Sequence, residues 1–174
     1  IRDSTANVTR WWGDAPTHDP RPTIEYLIEL VPWVCDHFGG DQDNVVLCGF
    51  SRGSIACNFI GLHDDRIAPL WKAFVVFSHY DGVETRWGYP GADRASAGER
   101  LRRLNGRPQC IIHEGSANNI TNLQATKQYL ASSGVAAPFQ FVLTGFRNHS
   151  DKWILRPSEA RTQVRAWLCQ AVSV

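Results

Sequence analysis

The chain has 174 residues, enough for one domain with a proper core, and its 43% hydrophobic and 20% charged residues are ordinary for a globular protein. Eighteen basic residues against seventeen acidic leave a formal net charge of +1, without the basic bias of a nucleic-acid partner. No apolar run approaches the ~20 residues needed to span a bilayer, so no membrane partner is expected either.

Residues 1–22 are polar, carry Pro16, Pro20 and Pro22, and read as a loop anchored by Trp11-Trp12. Helical spacing begins at Thr23, with Ile24, Leu27, Ile28, Val31, Val34 and Phe38 on one face. Pro32 is expected to bend or shorten this helix, and Gly39-Gly40 to end it. Asn44–Phe50 is an apolar strand that runs into a turn at Ser51 and a helix reaching about His63. A short helical piece near Arg66–Trp71 precedes a second strand, Ala73–Ser78. A long loop, His79–Gly91, holds Tyr80, Asp81, Trp87 and Tyr89.

A helix over about Arg94–Leu104 presents Arg100, Arg102 and Arg103 as a solvated basic face. A third strand spans Gln109–His113, a helix Asn122–Ser132, and a fourth strand Phe139–Leu143. The loop Thr144–Lys152 then leads to a last helix, Ser158–Ala171. Apolar strands alternating with helices predict a mostly parallel α/β sheet with helices on both faces. Chemistry in such sheets gathers beyond the carboxyl ends of the strands, where Ser51, Asp81, Glu114 and His149 all fall.

Gly49-Phe50-Ser51-Arg52-Gly53 is a G-x-S-x-G pattern in the strand–turn–helix context that gives it meaning. A serine in so sharp a turn is crowded, so the residues two before and two after it are expected to need almost no side chain. The turn lifts the hydroxyl above the sheet rim and aims the Arg52 N–H where an oxyanion would form. A serine hydroxyl needs a base, and His149, in the loop after the last strand, has the right position for one. Five cysteines show neither C-x-x-C spacing nor a His pattern suited to zinc, so no metal or other cofactor is expected. Cys48 and Cys110 read as small buried hydrophobes, and a disulfide involving Cys35 is open.

From about residue 23 to 171, with GFSRG and NHSDKW as its specific parts, the chain resembles the carboxyl-terminal two-thirds of an α/β-hydrolase of the serine esterase kind. The resemblance implies that fold, ester hydrolysis, Ser51 as nucleophile and His149 as base. It implies a serine peptidase as an alternative on the same fold. It also implies a triad acid, often in a G-x-x-D after the strand preceding the last. The corresponding stretch here is Gly115-Ser116-Ala117-Asn118, with an amide where an acid is expected. An acid-to-amide change of this kind costs about 10⁴ in rate in a serine protease.

Two carboxylates offer themselves instead. Glu114 ends the third strand in a setting similar to that of the cholinesterase-type glutamate, and Asp81 follows the second strand, a location some lipases use. Glu114 ranks first and Asp81 second, with Asn118 or an acid outside this chain as the remaining choices. If Asn118 holds the place of the acid, a catalytically impaired binding module is a further alternative.

The resemblance also implies two or more strands ahead of residue 44, where no apolar strand is found. The expectation is an amino-terminally incomplete domain whose first strand is an open edge, completed by a missing amino-terminal segment of the same protein. Trp11, Trp12, Trp87, Tyr89 and Trp153 fall in loops near the catalytic rim. Trp153 and Arg52 are therefore candidate contacts for a small-molecule or carbohydrate-linked ester.

Overall fold

The structure, a computed structural model, describes residues 2–3, 8–9, 12 and 17–173. Trp11 lies outside the described residues. Two short strands, β1 (Arg2–Asp3) and β2 (Val8–Thr9), pair antiparallel apart from the main sheet. The main sheet contains β3 (Val46–Phe50), β4 (Ala73–Phe77), β5 (Gln109–His113) and β6 (Phe139–Leu143), in that spatial order and all parallel. Helix α1 (Arg21–Phe38) precedes the sheet. Helices α2 (Arg52–Phe59), α3 (Arg94–Leu101), α4 (Ala117–Ser132) and α5 (Glu159–Val172) follow the four strands in turn. This is the α/β class that the alternation predicts, with every main-sheet pairing parallel.

Strand periodicity divides the core. Phe74, Val76 and Ile111 face Ile55 and Phe59 of α2, Leu101 of α3, and Ile24 of α1. Phe77, Cys110, Ile112 and Val142 face the other way, against Ala160 and Val164 of α5. Helices thus cover both faces. Phe50 pairs with Phe77, Phe77 with Ile112, and Ile112 with Val142, so the strands end nearly level and their following loops share one rim. A buried relay locks the layers together: the Tyr80 hydroxyl donates to Gln109 Oε1, and Gln109 Nε2 donates to Asn58 Oδ1 on α2 at 2.8 Å.

Several expectations change. Helix α1 runs through Pro32 and is closed by Gly39, which takes the left-handed conformation at φ 71° and donates its N–H to Cys35 O. Its inward face is Ile24, Leu27, Ile28, Val31 and Cys35, while Val34 and Phe38 point outward. Helix α4 starts at Ala117, ahead of the expected Asn122, so Asn118 falls in its first turn. Arg100 is not part of a solvated face; it is buried. All five cysteines are free thiols, so Cys35 forms no disulfide. Cys48 is exposed, lying on β3 at the edge of the main sheet. Among the described residues, no helix is long and apolar enough to cross a membrane.

Candidate active site

The turn at Ser51 joins β3 to α2. Ser51 sits at φ 56° and ψ −122°, a conformation that costs a non-glycine residue about 1–3 kcal/mol and persists only when its surroundings impose it. Four contacts frame it here. The Ser51 N–H donates to Phe77 O at 3.0 Å, tying the turn to the end of β4. The Ser54 hydroxyl lies 2.7 Å from Ser51 O and 2.8 Å from His79 O, which share its one proton. It also accepts from the His79 N–H at 3.1 Å. Ser54, fully buried, thereby clips the turn to the loop leaving β4. Helix α2 begins at Arg52, so the Arg52 N–H stands at the first position of the helix, at its positive end.

The two glycines of the pattern are not equivalent. A β-carbon on Gly49 would lie 2.1 Å from Gly53 O and 2.7 Å from Cys57 Sγ, whereas one on Gly53 meets nothing within 4 Å. The expectation of two obligatory small residues therefore holds for Gly49 alone.

His149 is delivered by the loop after β6. Thr144 N–H donates to His113 O at 2.9 Å, and Gly115 N–H donates to Phe146 O at 2.7 Å, so the loops after β5 and β6 are bound backbone to backbone. A β-carbon at Gly115 would press on the Gly145 backbone at 3.2 Å, which shows how closely they pass. The result is a relay. His149 Nε2 lies 3.0 Å from Ser51 Oγ across 98 positions of sequence, and His149 Nδ1 lies 2.8 Å from Glu114 Oε1. A carboxylate only accepts, so in a Glu114 carboxylate pair the shared proton belongs to Nδ1, which leaves the Nε2 lone pair to face the serine hydroxyl. Glu114 is fully buried while the His149 side chain is half-exposed. The Glu114 Oε2 atom has no partner among the described residues. The imidazole leans on Phe50, with ring centroids 4.6 Å apart, and Phe50 stacks on Phe77 at 4.9 Å.

Asp81, the other candidate acid, does not join this group. Both of its oxygens are taken inside the fold: Arg100 Nε donates to Oδ2 at 2.8 Å, and Arg100 Nη2 and the Tyr89 hydroxyl donate to Oδ1 at 2.9 and 2.7 Å. Burial pushes its carboxyl above the ordinary carboxylate range despite these partners. Asp81 ties the β4–α3 loop to α3.

Trp153 is also a correction. It is buried under the sheet, edge-on to Phe77 with centroids 5.7 Å apart, because a 3₁₀ turn over Asp151–Leu155 folds it inward. Trp12 and Tyr89 pack on Phe59 rather than lining the rim. Trp87 stays half-buried beside the site, edge-on to His79 at 5.2 Å and under the Arg52 guanidinium at 5.4 Å.

Sequence reasoning missed Ser54, His79 and Ser78. Ser54 had a usable signal: a serine three residues past the turn can bond back to its carbonyl. His79 lies 5.6 Å from the His149 ring, and its burial lowers its pKa, favouring the neutral form. Ser78, wholly buried at φ 90°, places its Oγ 3.2 Å from His149 Nδ1, and no sequence pattern announces it.

Two clefts of the described surface lie away from this group. One is bounded by the 17–23 turn, Phe59 and His63, and another by Lys72, Arg107 and Trp167 at the opposite ends of the strands. Among the described residues, no group of three His, Cys, Asp or Glu side chains is placed to hold a metal ion. What the arrangement offers chemically is a hydroxyl, a base with its lone pair aimed at it, a buried carboxylate behind the base, and a helix N-terminus beside the hydroxyl. No family model matches the sequence, and no curated protein matches it at a significant level.

Proposed function

We propose that the chain is a serine carboxylic-ester hydrolase, built on the α/β-hydrolase plan, that acts through an acyl-enzyme. The observation that carries this reading is the Ser51–His149–Glu114 relay, with contacts of 3.0 and 2.8 Å. Ser51 Oγ attacks the ester carbonyl carbon while its proton passes to His149 Nε2. The carbonyl oxygen takes the electron pair and faces the Arg52 N–H and the positive end of α2. As this intermediate collapses, the carbon–alkoxy bond breaks and the alcohol leaves with the proton from His149. Water then attacks the acyl-enzyme, gives a proton to His149, and the acid departs as Ser51 recovers its own.

Glu114, held dry behind the ring, offsets the imidazolium charge that appears in each half of the cycle. The relay stands on an open rim, where His149 and Arg52 are exposed and Trp87 offers a flat surface. This supports a small-molecule or carbohydrate-linked ester as the substrate. Hydrolysis of p-nitrophenyl acetate and butyrate, with Ser51→Ala as control, tests the reading. Turnover in the parent and none above background in the variant is expected; equal turnover in both would remove Ser51 from the mechanism.

A further inference from the structure

We infer that Ser78 is a positioning residue that holds the His149 imidazole in its working orientation, an inference that rests on the hydrolase reading for its catalytic consequence. Two independent observations meet at this residue. Its backbone stands at φ 90°, where a side chain is strained and glycine is at ease, yet the residue is serine and wholly buried. Its hydroxyl lies 3.2 Å from His149 Nδ1, on the nitrogen that also faces Glu114 Oε1 at 2.8 Å.

The backbone that creates the strain is pinned from both sides. Ser78 N–H donates to Ile112 O at 2.9 Å, and the next residue, His79, is held by the Ser54 hydroxyl through both its N–H and its carbonyl. The hydroxyl is thus offered to the ring by a rigid frame rather than by a free rotor.

With a carboxylate accepting the Nδ1 proton, the Ser78 oxygen takes the second and longer share of the same proton. Two acceptors set at different angles restrain the ring where one would let it swing. That matters because His149 comes from a loop and is half-exposed. Phe50 supports one region of the ring surface, but an aromatic face exerts little control over rotation in the ring plane. Glu114 fixes the proton, and restraining the ring plane keeps the Nε2 lone pair aimed at Ser51 Oγ. Ser78 does not touch the substrate; it acts through His149.

The test compares Ser78→Ala with Ser78→Gly in the full chain. Alanine keeps the strain and loses the hydroxyl, while glycine relieves the strain and also loses the hydroxyl. We expect kcat to fall about five- to tenfold in both variants with KM unchanged, the size of one lost neutral hydrogen bond. ¹⁵N spectra of the His149 ring are expected to show the proton on Nδ1, held by Glu114, in the parent and in both variants, with the ring resonances shifted and broadened in both variants as the imidazole gains in-plane freedom.

Activity restored by glycine but not by alanine would assign the effect to backbone strain and overturn the inference. So would unchanged ring spectra in the variants, or a parent ring protonated on Nε2. A parent that turns over no ester defeats the hydrolase reading separately, and the ring spectra still decide the role of Ser78.

Discussion

Gly53 O passes 2.1 Å from where a β-carbon on Gly49 would sit, whereas a β-carbon on Gly53 itself would meet open space. Gly49→Ala is therefore expected to displace the turn that carries Ser51, costing about 1–3 kcal/mol or more and most of the activity. Gly53 has helical backbone inside α2 and carries no positive φ, so Gly53→Ala is expected to be neutral or to stabilise by up to about 1 kcal/mol. Urea denaturation of the two variants beside the parent checks both signs.

Glu114 and Asp81 are separable by what each change harms. Glu114→Gln removes the charge behind His149 and is expected to lower kcat by about 10³–10⁴ with little effect on KM. Asp81→Asn leaves Arg100 as a buried cation without its carboxylate, so stability is expected to drop by about 3–5 kcal/mol. Activity per folded molecule should persist in that variant. Kinetics and denaturation on both variants give a crossed result if the assignment is right.

Ser54 links the Ser51 turn to the loop after β4 through one hydroxyl. Ser54→Ala strands the His79 N–H and the His79 carbonyl, while Ser51 O keeps the Ser54 N–H at 3.0 Å, and the expected cost is about 1–3 kcal/mol. Activity should fall as well, since both Ser51 and the Ser78–His79 segment lose their common clip. Thermal unfolding and ester turnover measured together test this.

His113 is buried, neither ring nitrogen has a partner among the described residues, and burial holds its pKa down to about 4. It stays neutral in the fold but charges freely in the unfolded chain. The unfolded state therefore binds more protons on acidification. Stability is expected to fall as pH drops from about 6.5 towards 4 and to level off, as far as this group is concerned, below that. The contribution is at most about 3 kcal/mol. His113→Leu should flatten that part of a stability-against-pH curve, and an unchanged slope would show that another group is responsible.

The fold was legible wherever one physical signal dominated. The four main-sheet strands are short apolar runs between turn signals, and their structural bounds lie within two residues of the sequence reading. Ser51 and His149 stand out because a strained turn and a late loop histidine leave marks in residue type and order.

The acid is harder, because Glu114-Gly115 and Asp81-Gly82 look alike locally. What separates them is Arg100, which reads as a surface charge on α3 but reaches inward to take Asp81. Trp153 misleads for a related reason: a tryptophan in a rim loop gives no hint that a 3₁₀ turn will tuck it under the sheet. Ser78 is invisible, since a positive φ at a serine arises from how β4 exits against Ile112 and Ser54.

The most direct measurement is covalent labelling with a fluorophosphonate followed by peptide mapping, on the parent, Ser51→Ala and His149→Ala. One adduct on Ser51 in the parent, none in the serine variant and a strongly slowed reaction in the histidine variant is the predicted result. Labelling of Ser51 at the same rate without His149, or labelling at another residue in its place, would contradict the account.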